Sequence, residues 1–288
     1  MSNSTVTNKI NNVSDTAFWV ATYRAQESSR PDALFKDPYA ALLAAEKGQE
    51  IVDQATDSKF VSWTIVIRTC VIDEIIQSAL LENVDTVINL GAGLDTRPYR
   101  MDLPSSLNWV EVDYPSIIHF KEKKLNHEKP KCHLERVALD LADRNTRQKF
   151  FSEINSRSKK TLVLTEGVIP YLSEEQVGTL AIDLHAQSNF RFWVTEYHSH
   201  EIYRHLQTRK KVKEMENSPF QFFPQYWLRF FNEKSWKERK VIFLGEEAKK
   251  LGRPFPLPWW AKILQPIMPP KARTRFSQMS GFILFESK

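Results

Sequence analysis

Cysteine and glycine are scarce in this chain of 288 residues, which contains only two cysteines and eight glycines. Cys70 lies in an apolar helical pattern and Cys132 beside a predicted strand, so neither a disulfide framework nor a Cys/His metal cluster is indicated. The seven histidines show no metal-ligand spacing either. We therefore expect no metal site, and we expect the protein to work in the reducing cytoplasm.

Segments for export or membrane attachment are also lacking. Residues 1–15 are polar, contain no apolar stretch of the kind a secretory signal needs, and are predicted to be mobile. The longest apolar segment, residues 61–76, is interrupted by Arg68, Asp73 and Glu74, which argues against a membrane span. We expect no contact with a membrane.

Positive charge is concentrated in one segment. The chain carries a net charge of +5, but residues 204–240 alone carry +6 and leave the rest at −1. The segment is also rich in aromatic residues, namely Phe220, Phe222, Phe223, Tyr226, Trp227, Phe230, Phe231 and Trp236. Because the charge is local, it does not indicate a chain-wide nucleic-acid surface. We predict that residues 200–240 form an inserted cap whose rings pack on the core rather than on RNA or a membrane.

Strand and helix patterns alternate from Val84 to Glu196. The predicted strands are Thr86–Leu90, Trp109–Val112, His133–Leu139, Thr161–Thr165, Phe190–Glu196, Lys240–Leu244 and Phe282–Phe285. Residues 16–82 form a predicted N-terminal helical part. This alternation predicts an α/β fold with a mostly parallel sheet, in a single domain over residues 16–288.

The first strand ends in a glycine-rich turn, Gly91-Ala92-Gly93, but the sixth position of the pattern is Thr96. A dinucleotide-binding fold needs a third glycine there, so that a pyrophosphate can sit on the helix N-terminus. Thr96 therefore disfavours an NAD-linked dehydrogenase and favours a nucleoside ligand without phosphates. The sequence also contains no Walker loop, serine nucleophile elbow or His-Glu-x-x-His motif.

Four acids follow the first four predicted strands, at the edge where such sheets bind ligands. They are Asp95, Asp113, Asp140 and Glu166. Asp113 is placed to accept hydrogen bonds from ribose hydroxyls, and Asp140 with the Leu141 backbone to reach an adenine edge. Glu166 would face a cationic group such as an amino-acid ammonium. Each acid taken singly could instead be a turn or helix-capping residue.

Four further side chains are candidates for contacts with ligands. Arg68 interrupts an apolar helix, where it either reaches to solvent or clamps a carboxylate through its guanidinium. Arg24 is a surface charge unless the N-terminal segment folds over the site. His198 lies in a polar loop after the fifth strand, and Tyr171 lies beyond the fourth. Both are candidate catalytic bases.

Several motifs together resemble the leucine carboxyl methyltransferase family. They are Tyr23–Ser28, Asp37–Ala40, Asn89–Arg97, Glu111–Pro115, Leu164–Gln176 and Leu251–Pro254. The chain is most similar to the bacterial branch that contains a polyketide O-methyltransferase of tetracenomycin synthesis. The resemblance implies a class I S-adenosylmethionine (SAM) methyltransferase fold, with a Rossmann-like seven-stranded sheet whose last strand is antiparallel.

The resemblance also implies roles for residues already singled out. Arg68, with Arg24 as its partner, would hold the SAM carboxylate, and Gly91 would line the methionine moiety. The other cofactor-binding residues it implies are Asp113 at the ribose, Asp140 and Leu141 at the adenine, and Glu166 by the methionine amino group.

We therefore expect a SAM-dependent O-methyltransferase that acts on a carboxylate or hydroxyl of a small molecule or a peptide C-terminus. A carboxylate acceptor is already ionised near neutral pH and needs no base, whereas a phenol would use one, for which Tyr171 and His198 are candidates. The alternative is a SAM-binding protein whose basic aromatic cap engages RNA or a protein partner. The oligomeric state and the identity of the acceptor are left open.

Overall fold

The computed structural model describes five parts of the chain, which are residues 15–54, 58–206, 219–257, 259 and 269–288. Residues 1–14, which make up nearly all of the segment predicted to be mobile, lie outside the described ranges. Residues 207–218 of the predicted cap lie outside them too. Asp15, the last residue of the predicted mobile segment, is the first residue of a helix.

One seven-stranded sheet organises the molecule. Its strands are β1 (Thr86–Leu90), β2 (Asn108–Asp113), β3 (His133–Ala138), β4 (Thr161–Thr165), β5 (Phe190–His198), β6 (Trp236–Phe243) and β7 (Ser280–Ser287). Their order across the sheet is β3-β2-β1-β4-β5-β7-β6. The first five strands pair in parallel, and β7 runs antiparallel to both of its neighbours. The predicted fold class, including the antiparallel last strand, is confirmed.

Helices cover both faces of this sheet. Those in the described residues are α1 (Asp15–Ser28), α2 (Ala40–Gln54), α3 (Ser58–Leu81), α4 (Arg97–Arg100), α5 (Pro115–Lys124), α6 (Arg144–Arg157), α7 (Glu174–His185), α8 (His200–Leu206), α9 (Trp227–Asn232), α10 (Leu244–Lys250) and α11 (Pro270–Ser277). None of them combines the length and apolar character that crossing a bilayer requires.

The core has two layers because β1 and β4 are buried on both faces. Ile88 of β1 packs with α6, α7 and α9 in one layer, whereas its neighbour Val87 packs with α3 and α10 in the other. A third cluster joins α1, α2 and α5 to Leu94 in the turn after β1. This last cluster places the N-terminal helices over the carboxyl edge of the sheet.

Several predicted strand boundaries are wrong. β2 and β7 extend beyond both predicted ends, and β5 continues through His198, which was predicted to lie in a loop. β6 begins at Trp236 rather than Lys240, and Leu244 begins α10 instead of ending the strand. The Trp236 indole is buried and donates a hydrogen bond to the Ala181 carbonyl at 2.9 Å, which anchors this end of the strand. The strand lies at the sheet edge and exposes most of its charged residues, so its sequence lacks a continuous apolar pattern.

Most aromatic rings in the described part of the predicted cap pack on the core, as expected, whereas the Tyr226 side chain is exposed. Phe222, Trp227, Phe230 and Phe231 are all buried in the layer formed with α6 and α7. Phe231 also contacts the Trp193 ring of β5, with ring centres 5.2 Å apart. These rings are therefore part of the hydrophobic core and are not free to stack on bases.

Candidate active site

The carboxyl ends of β1 to β5 meet at one edge of the sheet, and four of the predicted residues lie there in spatial order. Asp140 follows β3, Asp113 ends β2, Gly91 follows β1, and Glu166 follows β4. Because neighbouring strands lie about 4.8 Å apart, these positions form one continuous row. The structure thus brings the predicted residues together.

The turn after β1 requires glycine. Gly91 and Gly93 have φ angles of 67° and 48°, in the left-handed region that favours residues without a Cβ. A Cβ built on Gly91 would lie 2.4 Å from the Cγ2 of Val168. The turn is held by the Val112 carbonyl, which accepts hydrogen bonds from the N–H groups of Gly91 and Ala92 at 2.8 and 3.0 Å. Bare backbone at this point lets a ligand approach the strand end closely.

Asp113 presents a carboxylate that only backbone groups engage. Its Oδ2 accepts a hydrogen bond from the N–H of Gly93 and its Oδ1 from the N–H of Tyr114, both at 2.7 Å. Burial raises the pKa of Asp113, and these two N–H groups oppose the rise. No cation forms a salt bridge with it in the parts of the chain described above. Each oxygen therefore keeps a lone pair for a hydroxyl donor.

Asp140 and Leu141 form the outer end of the row. Asp140 is exposed, and its Oδ1 accepts a hydrogen bond from the N–H of Ala142 at 2.9 Å. The Leu141 carbonyl accepts a hydrogen bond from Nη1 of Arg147 at 2.6 Å, while its side chain packs against the core. The predicted adenine contacts would thus use the second oxygen of Asp140 and the N–H of Leu141.

Glu166 lies between two arginines at the other end of the row. Its Oε1 is 2.9 Å from Nε of Arg68, and its Oε2 accepts a hydrogen bond from Nη1 of Arg97 at 2.8 Å. Burial raises the pKa of Glu166, but Arg97 and Arg68 more than offset this and lower it. The Nη groups of Arg68 donate to no described residue, so they remain available to a ligand carboxylate.

The guanidinium of Arg24 forms hydrogen bonds within the protein through two of its nitrogens. Its Nε donates to Oδ2 of Asp37 at 2.9 Å, and its Nη2 donates to the Leu94 carbonyl at 2.5 Å. These bonds fasten α1 to the turn after β1, where Gly93 approaches Ala17. The position of Arg24 fits a residue that holds the N-terminal helix over the site. Its direct contact with a SAM carboxylate stays a prediction.

The two predicted catalytic residues lie on the β4–β5 side of the row. Burial raises the pKa of Tyr171 to about 12, and Tyr171 forms a hydrogen bond with Thr16 of α1. Burial lowers the pKa of His198 to about 4, and its ring packs against Tyr203 and Trp227. Tyr171 is therefore a neutral phenol at pH 7, and His198 is a neutral, weakly basic imidazole.

Sequence reasoning missed two charged residues at this edge. Arg97 is buried and contacts Asp73, Asp95 and Glu166, so it joins α3 to the ends of β1 and β4. Glu196 is buried near the end of β5 and accepts a hydrogen bond from the N–H of Gly167. The rule used for the other acids, an acid at the carboxyl end of a parallel strand, would have found Glu196 as well.

The described residues contain no group of three or more His, Cys, Asp or Glu side chains that could hold a metal ion.

Comparison with known proteins agrees with this arrangement. A family model described as leucine carboxyl methyltransferase matches residues 17–184. The chain belongs to this family. The match covers every element from α1 to α7, including the turn after β1 and both arginines beside Glu166. The family resemblance seen in the sequence is thereby confirmed.

Two relatives from Streptomyces species are named as S-adenosyl-L-methionine-dependent methyltransferases. The one from Streptomyces coelicolor is 35% identical over 187 residues, which cover 60% of this chain and 64% of that protein. The one from Streptomyces avermitilis is 33% identical over 182 residues, with the same two coverages. The chain thus matches slightly less than two thirds of the length of these relatives.

Solved structures share the fold. A protein from Thermobifida fusca that is named as a methyltransferase has a TM-score of 0.58 and 12% sequence identity, with 94% of both chains covered. A DUF574 family protein from Streptomyces avermitilis has a TM-score of 0.52 and 12% identity, with 93% of this chain and 97% of that chain covered. At such low identity these likenesses show the architecture alone.

Proposed function

We propose that this protein is a SAM-dependent methyltransferase that transfers the methyl group to an oxygen atom of a small molecule or peptide C-terminus. The order of groups along the sheet edge carries this proposal. Asp140 and Leu141, then Asp113, then the Gly91 turn, then Glu166 would meet adenine, ribose, sulfonium and amino acid in that sequence.

The chemistry of each group supports the fit with SAM. Asp113 offers carboxylate oxygens without a cationic partner, which suits the two hydroxyls of a ribose. The Nη groups of Arg68 suit the ligand carboxylate, and Glu166 suits the ammonium beside it. When bound, SAM supplies a methyl group on a cationic sulfur. The protein aligns the acceptor with that group and excludes water, so positioning would provide most of the rate.

Helix α1 supplies the cover that such a reaction needs. Arg24 fastens it to the turn after β1, and Thr16 meets Tyr171 beyond β4. The acceptor would then enter on the β4–β5 side, between α1 and α8. Methyl transfer to oxygen is favoured here because the family model is described as a carboxyl methyltransferase. The alternative of an RNA-binding cap is less well supported, since Phe222, Trp227, Phe230 and Phe231 are buried.

Asp113→Ala tests the proposed nucleoside site. We expect the affinity for S-adenosylhomocysteine to fall about 100-fold, because the ribose hydroxyls lose charge-assisted hydrogen bonds. Isothermal titration calorimetry measures the change. The matched control is Asp102→Ala, which removes an exposed aspartate from the loop between α4 and β2 and should leave the affinity unchanged. Equal affinities for Asp113→Ala and Asp102→Ala would contradict the assignment.

A further inference from the structure

Glu196 is a buried carboxyl group that the proposed SAM site does not use. It is 5% exposed and lies near the end of β5, the strand beside β4. One oxygen, Oε1, accepts the hydrogen bond of the Gly167 N–H, immediately after Glu166. The other, Oε2, accepts a long hydrogen bond from the Thr195 hydroxyl at 3.3 Å and no other side-chain hydrogen bond from the described part of the chain. The side chain thus faces the sheet edge beside the expected methionine end of SAM, with one oxygen weakly engaged.

The charges around Glu196 are already balanced without it. Ion pairs join three carboxylates to three guanidinium groups, and the members of this network are Asp73, Asp95, Glu166, Arg68, Arg97 and Arg100. Glu196 forms no salt bridge among the described residues. The titratable groups that face it are Arg68 from α3, Glu166 after β4, Tyr171, and Tyr203 from α8. An ionised Glu196 therefore has no counter-charge of its own among the described residues at the methionine end of the site.

This balance bears on the kind of acceptor. With the ammonium of SAM on Glu166 and its carboxylate on Arg68, the remaining charge at this end of the ligand is the sulfonium, and an ionised Glu196 would lie on its side of the sheet edge. An acceptor carboxylate would bring a second anion into a buried space, and like charges there are costly. A neutral hydroxyl would instead donate a hydrogen bond to the weakly engaged oxygen of Glu196.

We propose that Glu196 is the catalytic base of this enzyme and that the acceptor is a hydroxyl group rather than a carboxylate, an inference that rests on the function proposed above. Oε2 of Glu196 takes the proton of the acceptor hydroxyl. The acceptor oxygen forms its bond to the methyl carbon while the carbon–sulfur bond breaks and its electron pair stays on sulfur. The products are a methyl ether, S-adenosylhomocysteine and protonated Glu196, which then releases its proton to solvent.

The other two candidate bases fit this role less well. Burial raises the pKa of Glu196 to about 7, against about 12 for Tyr171 and about 4 for His198. A general base works best when its pKa lies near the working pH. Tyr171 would then be a hydrogen-bond donor to the acceptor, and His198 part of the pocket wall.

The test uses methyl-labelled SAM with a clarified bacterial extract, and with 2-naphthol and 2-naphthoate as a matched hydroxyl and carboxylate pair. The proteins compared are the unmodified chain, Glu196→Gln, and Glu286→Gln. The last makes the same substitution on β7, at the opposite end of the sheet.

We expect the label in products that survive base, as ethers do. Glu196→Gln should lower kcat about 100-fold while the KM for SAM stays within about twofold. Glu286→Gln should behave like the unmodified protein.

The other possible results distinguish a failure of the proposed methyl transfer from a failure of the hydroxyl acceptor or of Glu196 as the base. If the unmodified protein labels no compound, the proposed methyl transfer itself fails. If base releases the label as methanol, the product is an ester, so the transferase stands and the hydroxyl acceptor is wrong. If the product is an ether but Glu196→Gln retains full kcat, Glu196 is not the base.

The pH profile of the unmodified protein provides a second measurement that needs no variant. Since Glu196 must be ionised to act, kcat/KM, which reports the ionisation of the free enzyme, should fall as the pH drops below about 7. A kcat/KM that stays constant from pH 8 to about 5.5 would overturn the role of Glu196 even if Glu196→Gln did not fold.

Discussion

Replacing Arg97 by methionine should lower the free energy of unfolding by about 3–5 kcal/mol, because the change leaves buried carboxylates without their counter-charge. Arg97 is 3% exposed and lies within 2.9 Å of Asp73, Asp95 and Glu166. Burial raises the pKa of Asp95, yet Arg97 holds that pKa well below its usual range. Loss of the guanidinium removes this support from the ends of β1 and β4 together.

Thermal unfolding at neutral pH measures the effect. We expect the melting temperature of Arg97→Met to fall by about 10 °C. The control is Arg229→Met on α9, which removes an exposed ion pair with Glu233 and should leave the melting temperature within about 1 °C of that of the unmodified protein. Equal melting temperatures for the two variants would show that the Arg97 network does not stabilise the fold.

Glu196→Gln should stabilise the protein at pH 8 even though it removes the proposed base. The folded-state pKa of about 7 exceeds the unfolded value of about 4.3, so between these values the folded state binds more protons. The free energy of unfolding contributed by Glu196 therefore falls as the pH rises through this window. Above this window, the ionised carboxylate of Glu196 lowers the free energy of unfolding by about 4 kcal/mol, a cost that the neutral glutamine avoids.

The sign of this effect can be checked by comparing two pH values. At pH 8 the melting temperature of Glu196→Gln should exceed that of the unmodified protein by about 6 °C, and at pH 4 the two should coincide. Glu286→Gln should show no such difference. A variant less stable at pH 8 than the unmodified protein would mean that Glu196 is well solvated or paired with a cation. A gain in stability with a loss of activity is the pattern expected of a functional residue.

The parts of the fold that the sequence predicts are those with strong local signals. β1 and β4 were placed correctly because each is a continuous apolar run, buried on both faces. The helix α7 begins at a capping box formed by Ser173 and Gln176, a pattern that can be read from the sequence. The row of ligand-facing acids followed from one topological rule about the carboxyl ends of parallel strands.

The remaining features depend on contacts between distant parts of the chain. β6 was misplaced because its first residues are held by the burial of Trp236 against α7. The partners of Arg97 come from α3, from the turn after β1, and from the end of β4, and no local pattern predicts that they meet. The environment of Glu196 likewise depends on Gly167, which lies 29 residues away.

Glu196 also suggests how this chain differs from the reaction for which its family is described. A carboxylate acceptor needs no base, and a buried carboxyl group beside it would be unfavourable. A hydroxyl acceptor gives Glu196 a function that accounts for the cost of keeping it buried without a cation. On this account the turn after β1, Asp113 and Arg68 bind the methyl donor, whereas the β5 side of the edge selects the acceptor.

The most direct test of the central claim is a crystal structure of the protein with S-adenosylhomocysteine. The account predicts the ribose hydroxyls on Asp113, the homocysteine carboxylate on the Nη groups of Arg68, and the sulfur facing the side on which Glu196 lies. It would be contradicted by crystals in which that edge stays empty at saturating ligand, or in which the nucleoside lies elsewhere on the protein.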